Sequence, residues 1–158
     1  MVKVRQAGIN DAIFIHNIIK KHAVEFDLIP RGLADIYTQI RDFYVLEDNK
    51  KKIGVVGLHI YWYDLGEIRS FIIEKSYRGM GYGSKLLTYA INEAGKIGIK
   101  SVFVLTKIPD FFVKYGFRKI QKKNLPQKIW KDCLNCPKFP DCDEHALIYH
   151  FKKRKRIK

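Results

Sequence analysis

The sequence is poor in the features that mark secreted and membrane proteins. Its 158 residues include only three cysteines, an odd number that argues against a disulfide framework. No uninterrupted apolar run approaches the roughly 18 residues that a membrane-spanning helix needs. The segment from Met1 to Gln6 has no apolar core of signal-peptide length. We therefore expect a cytoplasmic protein with no membrane partner.

Acidic residues are also scarce, with 16 Asp and Glu against 30 Lys and Arg and a formal net charge of +14. Six of the positive charges lie in residues 151–158, which we interpret as a solvated basic tail after a single domain over residues 1–150. The remaining lysines are scattered, and such a surface favours an anionic cofactor by electrostatic steering. The alternative from another class is a basic nucleic-acid-binding module, whose binding would weaken steeply with salt.

The most informative segment is a glycine-rich turn that follows an apolar, strand-like run. The run stops at Glu74, Gly79, Gly81 and Gly83 follow, and a helical pattern begins near Ser84. Because glycine lacks a Cβ atom, the backbone here can approach a ligand closely. The free N–H groups of the following helix N-terminus bind anions. The segment therefore predicts a cradle for a phosphorylated small molecule.

Two common phosphate-binding motifs do not fit this turn. Gly83-Ser84-Lys85 has the wrong order for a P-loop, and the glycine spacing differs from that of the dinucleotide fingerprint. Arg78-x-x-Gly81-x-Gly83 instead resembles the pyrophosphate-binding motif of the GNAT acetyltransferases, whose co-substrate is acetyl-CoA. An ordinary glycine turn is the alternative.

The GNAT resemblance implies a specific set of acetyl-CoA-binding residues. It implies that the backbone of one strand aligns the pantetheine arm and that the glycine turn holds the pyrophosphate. The strand residues are Phe71, Ile72 and Ile73, and the turn residues are Arg78, Gly79, Met80, Gly81, Tyr82, Gly83 and Ser84.

The order of predicted elements extends the resemblance over most of the chain. Apolar periodicity predicts a strand, two helices, three strands, a helix, a strand, a helix and a strand, with Asp11 as N-cap of the first helix. The segment from Phe112 to Phe117 is similar to the aromatic-x-x-x-Gly-Phe segment of GNAT proteins. We therefore expect an α/β (α+β) GNAT fold, in which helices flank a mixed central sheet.

Three stretches resemble a narrower group, the short, free-standing N-acetylglutamate synthases. They span residues 66–73, 102–106 and 125–144. This resemblance implies transfer of an acetyl group from acetyl-CoA to the α-amine of L-glutamate in a ternary complex, as in arginine biosynthesis. The alternative within the enzymes is a GNAT protein that acetylates another small amine or a protein N-terminus. The oligomeric state stays open, a homodimer included.

One predicted strand carries the candidate proton acceptor. Side chains two residues apart on a strand share a face, so Glu67, Arg69, Phe71 and Ile73 are expected to point the same way. Glu67 falls where histone-acetylating relatives have their general base, which implies that it accepts the proton of the acceptor amine. The alternative for Glu67 is a solvated carboxylate at a strand end.

Arginines are the candidates for binding an acceptor carboxylate. The planar guanidinium of Arg69 suits a carboxylate, with a cross-strand ion pair as the alternative. Arg31 is the second candidate, because in the GNAT resemblance the loop between the first two helices covers the acceptor site. Lys107 is a weaker third. His59 and Tyr61 are assigned no role.

Phe112 is a departure from many GNAT proteins, which carry a tyrosine there as general acid for the leaving thiolate. The resemblance to the N-acetylglutamate synthases agrees with a phenylalanine, and Tyr115 lies too close to the glycine to take that place. This resemblance implies that the thiolate leaves without a proton from a general acid, since thiols have a pKa of only about 8.5.

The cysteines form a second constellation near the C-terminus. Cys133-x-x-Cys136 has the spacing of a zinc knuckle, and Cys142 and His145 could complete a four-ligand set. The alternatives are buried apolar thiols, a redox-labile pair, and a loop held by aromatic packing. A zinc ion here would be structural.

Overall fold

The structure is a computed structural model that describes residues 1–26, 31–125 and 144–152. Within these ranges the chain forms seven strands and four helices, connected by short 3₁₀ turns. The strands are β1 (Val2–Gln6), β2 (Phe43–Asp48), β3 (Lys51–Trp62), β4 (Leu65–Ile73), β5 (Ser101–Thr106), β6 (Arg118–Ile120) and β7 (His145–His150). The helices are α1 (Ala12–Phe26), α2 (Leu33–Thr38), α3 (Tyr82–Ile97) and α4 (Pro109–Val113). None of the helices in these ranges has both the length and the apolar character that crossing a membrane requires.

All seven strands belong to one mixed sheet in the order β1-β2-β3-β4-β5-β7-β6. Neighbouring strands are antiparallel except for β4 and β5, which run parallel and are connected through α3. The prediction of a mixed sheet flanked by helices is confirmed. The sequence patterns did not predict β7, which lies between β5 and β6 and pairs with both.

The core lies on both faces of the sheet. Helix α3 covers one face with Leu86, Leu87, Ala90, Ile91 and Ala94, whose spacing of three and four residues makes one apolar stripe. Helices α1 and α2 cover the other face, where Ile15, Ile19 and Ile36 pack against Val55 and Ile72. Each fully buried Leu or Ile contributes about 1.5–3 kcal/mol of burial free energy. The sheet is therefore held rigidly from both sides.

A buried carboxylate connects β1 to the start of α1. Asp11 directly precedes α1, but its carboxylate reaches back to the Gly8 N–H at 2.7 Å instead of capping forward. Arg5 forms a bidentate ion pair with it at 2.7 and 2.8 Å, and Lys52 adds a contact at 2.8 Å. The Arg5 hydrogen bonds outweigh burial and hold the pKa of Asp11 well below its ordinary value. Asp11 therefore remains ionised in the folded protein.

Candidate functional site

Strands β4 and β5 separate near the middle of the sheet. They pair from Leu65 opposite Ser101 to Ile68 opposite Val104, while β4 continues to Ile73 and β5 to Thr106. Backbone N–H and C=O groups at an unpaired strand edge can pair with an extended ligand. The part of β4 that carries Phe71, Ile72 and Ile73 therefore has the form expected of a site for the pantetheine arm.

A β-bulge in β4 changes which side chains share a face. Gly57 of β3 pairs with Arg69 of β4, and Val55 of β3 pairs with Ile72 of β4. Ser70 and Phe71 together therefore oppose a single residue of β3, the one between Val55 and Gly57. Ser70 is buried and has a φ of 52°, which is rare for a residue with a side chain. The extra residue reverses the alternation of side chains along the strand.

This bulge corrects the expectation that four side chains of β4 point the same way. Phe71 and Ile73 belong to the cluster under α3, together with Ile68. Glu67 and Arg69, on the other side of the bulge, face the opposite surface of the sheet. One strand therefore presents the apolar Phe71 to one face and the polar Glu67–Arg69 pair to the other.

The glycine turn leads directly into α3. Gly79 and Gly81 have φ values of 78° and 82°, and a Cβ atom on either would have no heavy atom within 4 Å. Gly81 is the N-cap of α3 and makes no side-chain cap hydrogen bond, and the first helical turn carries no acidic residue. The N-terminal N–H groups and the helix dipole therefore favour an anion beside Gly79 and Gly81.

The remaining residues of the turn attach it to the sheet. Arg78 donates from Nε to the backbone oxygen of Ile73 at 3.0 Å, which connects the turn to the end of β4. A Cβ atom on Gly83 would lie 3.6 Å from the Phe71 ring, so α3 begins in contact with β4. Met80 is exposed, and Tyr82 packs near Tyr77 with 6.4 Å between ring centroids. The turn is thus fixed relative to the separated strands.

On the α1–α2 face, polar side chains of β3 and β4 form a connected set. Arg69 lies with its Nε 3.0 Å from Oε1 of Glu67 and donates from Nη2 to the hydroxyl of Tyr61 at 2.8 Å. The side chains of Glu67 and Arg69 are each only 11% exposed. Tyr61 in turn packs against Phe103 of β5 with 5.6 Å between ring centroids. The predicted proton acceptor and the predicted carboxylate ligand therefore form one buried ion pair.

This combination of strands, turn and helix matches a known family. The family model described as an acetyltransferase (GNAT) domain matches residues 39–119, which include β2 to β5, the glycine turn and α4. The chain belongs to the GNAT acetyltransferase family. It is an N-acetyltransferase, and acetyl-CoA is its co-substrate. The sequence-based family assignment is confirmed.

Curated relatives of the GNAT protein include enzymes of amino-acid acetylation. An uncharacterised N-acetyltransferase of Chlorobaculum tepidum is 38% identical over 145 residues, which cover 92% of this chain and 94% of that protein. The amino-acid acetyltransferase of Mycobacterium tuberculosis is 31% identical over 132 residues, with coverages of 82% and 75%.

Solved structures similar to this chain also include an enzyme of amino-acid acetylation. The N-acetylglutamate synthase of Neisseria gonorrhoeae, in complex with coenzyme A and N-acetyl-glutamate, superposes with a TM-score of 0.86 at 26% identity. The match covers 97% of this chain but only 36% of that longer protein. The GNAT protein thus corresponds to one part of the gonococcal enzyme.

The other predicted acceptor residues of the GNAT protein lie in separate elements. Arg31 lies two residues before α2 and donates from Nη1 to Oε1 of Gln39 at 3.4 Å. Lys107 is exposed directly after β5. Arg69 therefore belongs to β4, whereas Arg31 belongs to the layer of helices that covers this face of the sheet.

Phe112 is a core residue of the GNAT protein. Its side chain is 1% exposed and its ring lies 6.0 Å from Phe71, 5.3 Å from Phe111 and 5.4 Å from Phe117 between centroids. Tyr115, the tyrosine of this segment, packs on Phe111 with 5.2 Å between ring centroids. The phenylalanine thus packs between α4 and the face of β4 that α3 covers.

The cysteine hypothesis concerns residues that the structure does not describe. Cys133, Cys136 and Cys142 all lie outside the described residues, and the zinc site stays a prediction. His145, the fourth candidate, is the first residue of β7 and pairs with Thr106. In the part of the chain that the structure describes, no group of His, Cys, Asp and Glu has the arrangement of a metal site.

The structure pairs His59 with Asp42, and the sequence patterns gave neither residue a role. His59 of β3 is the register partner of Glu67, and its Nδ1 lies 2.8 Å from Oδ2 of Asp42, in the 3₁₀ turn after α2. The His59 ring packs edge-on against Tyr61 with 4.9 Å between centroids. Sequence alone signalled only that His59 shares a face with Tyr61, because Asp42 is distant in the chain.

Proposed function

We propose that this N-acetyltransferase acts on the α-amine of L-glutamate and so functions as an N-acetylglutamate synthase in arginine biosynthesis. The observation that carries the proposal is the Glu67–Arg69 pair beside the separated ends of β4 and β5. It combines a proton acceptor with a cation suited to a carboxylate at the edge of the acetyl-CoA site. The relation to enzymes named amino-acid acetyltransferase supports the same substrate class.

The proposed reaction needs both substrates fixed in one geometry. Acetyl-CoA lies with its pantetheine arm along Phe71 to Ile73 and with its pyrophosphate at Gly79 to Ser84, where Arg78 secures the turn. Fixing the two reactants turns a bimolecular step into an effectively unimolecular one, which is worth several kcal/mol. The N-terminal N–H groups of α3 supply the positive potential for the pyrophosphate.

In this proposal, the face of β4 opposite Phe71 removes the proton and binds the acceptor. The ammonium group of glutamate must lose a proton before it attacks the thioester, and Glu67 accepts that proton directly or through a water molecule. Arg69 and Arg31 bind the carboxylates of the acceptor. As the C–N bond forms and the C–S bond breaks, the thiolate leaves without a tyrosine acid, because Phe112 stands at that position.

The test is thiol release from acetyl-CoA by the purified protein. The acceptors are L-glutamate, D-glutamate, L-aspartate, L-glutamine, polyamines and peptides with free N-termini. We expect a rate specific to L-glutamate. Faster release with a polyamine or a peptide would refute the glutamate assignment while leaving the acetyltransferase intact.

Matched arginine variants test the acceptor site. Arg69→Gln and Arg31→Gln should each raise KM for glutamate about tenfold or more, since a hydrogen bond to a charged group contributes about 1.5–3 kcal/mol. Arg118→Gln on the exposed edge strand β6 is the control, with an unchanged KM. If Arg69→Gln matched Arg118→Gln, Arg69 would have only a structural role.

A further inference from the structure

Glu67 is buried, so a proton that it accepts needs a path to solvent. Its side chain is 11% exposed and lies against the guanidinium of Arg69. An enzyme that turns over repeatedly must return this carboxylate to its ionised form after each cycle. A neighbouring group that is both basic and exposed would provide that path.

His59 lies where such a group is needed. It is the cross-strand register partner of Glu67, and opposed side chains of antiparallel strands have Cβ atoms about 4.5–5.5 Å apart. The side chains of His59 and Asp42 are each 29% exposed, well above the exposure of Glu67. His59 is thus the more exposed member of a cross-strand pair whose other member is the buried carboxylate.

Asp42 determines which nitrogen of His59 can accept a proton. An ionised carboxylate is only an acceptor, so the contact of 2.8 Å requires that Nδ1 of His59 carries the hydrogen. In the neutral ring the lone pair is then on Nε2. Among the described residues, other polar groups on this face of the sheet are Tyr61, which packs on the ring, and Glu67 and Arg69 on β4.

We propose that the Asp42–His59 pair relays the proton of the acceptor amine from Glu67 to solvent. This inference rests on the proposed function in one respect, that Glu67 accepts this proton. The ammonium proton passes to the Glu67 carboxylate, then to Nε2 of His59, and then to water. The amine's second proton leaves as the C–N bond is completed, and it accounts for the proton on the released thiol. Asp42 is a positioning residue that keeps Nε2 unprotonated between cycles.

Nitrogen NMR of protein labelled with ¹⁵N-histidine tests the pair without any turnover. We expect neutral His59 in the Nδ1–H form in the wild type. In Asp42→Asn the side-chain amide can donate to Nδ1, which shifts the ring to the Nε2–H form. An Nε2–H ring in the wild-type protein would overturn the proposal.

Kinetics test the relay itself, with whichever acceptor gives the highest rate. His59→Gln should lower kcat by about 100-fold, the lower end of what a proton-transferring side chain contributes, with KM for acetyl-CoA unchanged. The shape of the kcat–pH profile should also change in this variant, because one of the two proton-carrying groups, Glu67 and His59, is removed. Imidazole added to His59→Ala should restore part of the rate.

His150→Gln is the matched control, because this exposed histidine also bonds a side chain, Oγ of Ser101 at 2.7 Å, at the far end of β5. It should keep the wild-type kcat and pH profile. Wild-type kcat and an unchanged profile in His59→Gln would overturn the relay while Glu67→Gln still abolishes turnover. Failure of the glutamate assignment is a separate result, since it shows in the acceptor preference of the wild type.

Discussion

The two ends of α3 provide a sharp test of the acetyl-CoA cradle. Gly81 and Gly98 cap the helix at its N-terminus and C-terminus with φ values of 82° and 98°, and at both a Cβ atom would have no heavy atom within 4 Å. Alanine at either position therefore costs only the left-handed backbone strain, about 1–2 kcal/mol. That cost corresponds to a decrease in Tm of about 2–8 °C in a chain of this size.

The same methyl group has different consequences for ligand binding at the two positions. At Gly81 it occupies space beside the α3 N-terminal N–H groups, where the pyrophosphate is expected. Loss of one charge-assisted hydrogen bond costs about 1.5–3 kcal/mol, which weakens binding by about 10- to 100-fold. At Gly98 the methyl group lies at the opposite end of α3.

Calorimetric titration with coenzyme A and thermal unfolding measure the two effects separately. Gly81→Ala and Gly98→Ala should show similar decreases in Tm, but only Gly81→Ala should raise Kd by 10-fold or more. Equal Kd values in the two variants would refute the assignment of this turn as the pyrophosphate site.

Three further variants test the Asp11–Arg5 ion pair, the position of Arg69 and the packing of Phe112. Asp11→Asn should cost about 1.5–3 kcal/mol near pH 7, because it weakens the charge-assisted hydrogen bonds with Arg5. The lowered pKa of Asp11 makes its stabilisation complete above the ordinary aspartate pKa of about 3.9 and progressively lost as the pH falls below it. The difference in unfolding free energy between wild type and variant should therefore shrink on acidification, and a constant difference would contradict this origin. Gly57→Ala would bring a Cβ atom within 3.2 Å of Cγ of Arg69, so KM for the acceptor should rise while Kd for coenzyme A stays constant. An unchanged KM would show that Arg69 can shift without consequence. Phe112→Tyr should destabilise the protein by about 1–3 kcal/mol in urea unfolding and not raise kcat, since the new hydroxyl would be buried among aromatic rings. A higher kcat would indicate that the hydroxyl reaches the leaving thiolate.

Local sequence patterns were sufficient for the glycine turn and most of the sheet. The turn needs glycines at positive φ and a helix that starts directly after it, and both requirements are visible within a few residues of Gly79 to Ser84. The apolar run of β5 is likewise typical of a strand with a parallel neighbour, and the structure shows that this neighbour is β4. These features depend on backbone geometry and on short-range periodicity, which the sequence encodes directly.

Long-range register decided the remaining features. β7 follows a long segment after β6 and inserts between β6 and β5, a pairing that no local pattern predicts. The bulge at Ser70 reversed the alternation of side chains that was expected along β4. The bulge itself was not predicted, because a non-glycine residue at positive φ has no reliable sequence signal.

The sequence by itself determined the family, the fold class and the glycine turn at the start of α3, because each depends on neighbouring residues. Only the tertiary structure decided which side chains share a face of the sheet with Glu67. It turned Phe71 away from Glu67, brought Arg69 against Glu67 and Tyr61, and set Asp42 beside His59. The physical reason is that strand pairing and one inserted residue fix these contacts between segments far apart in the chain.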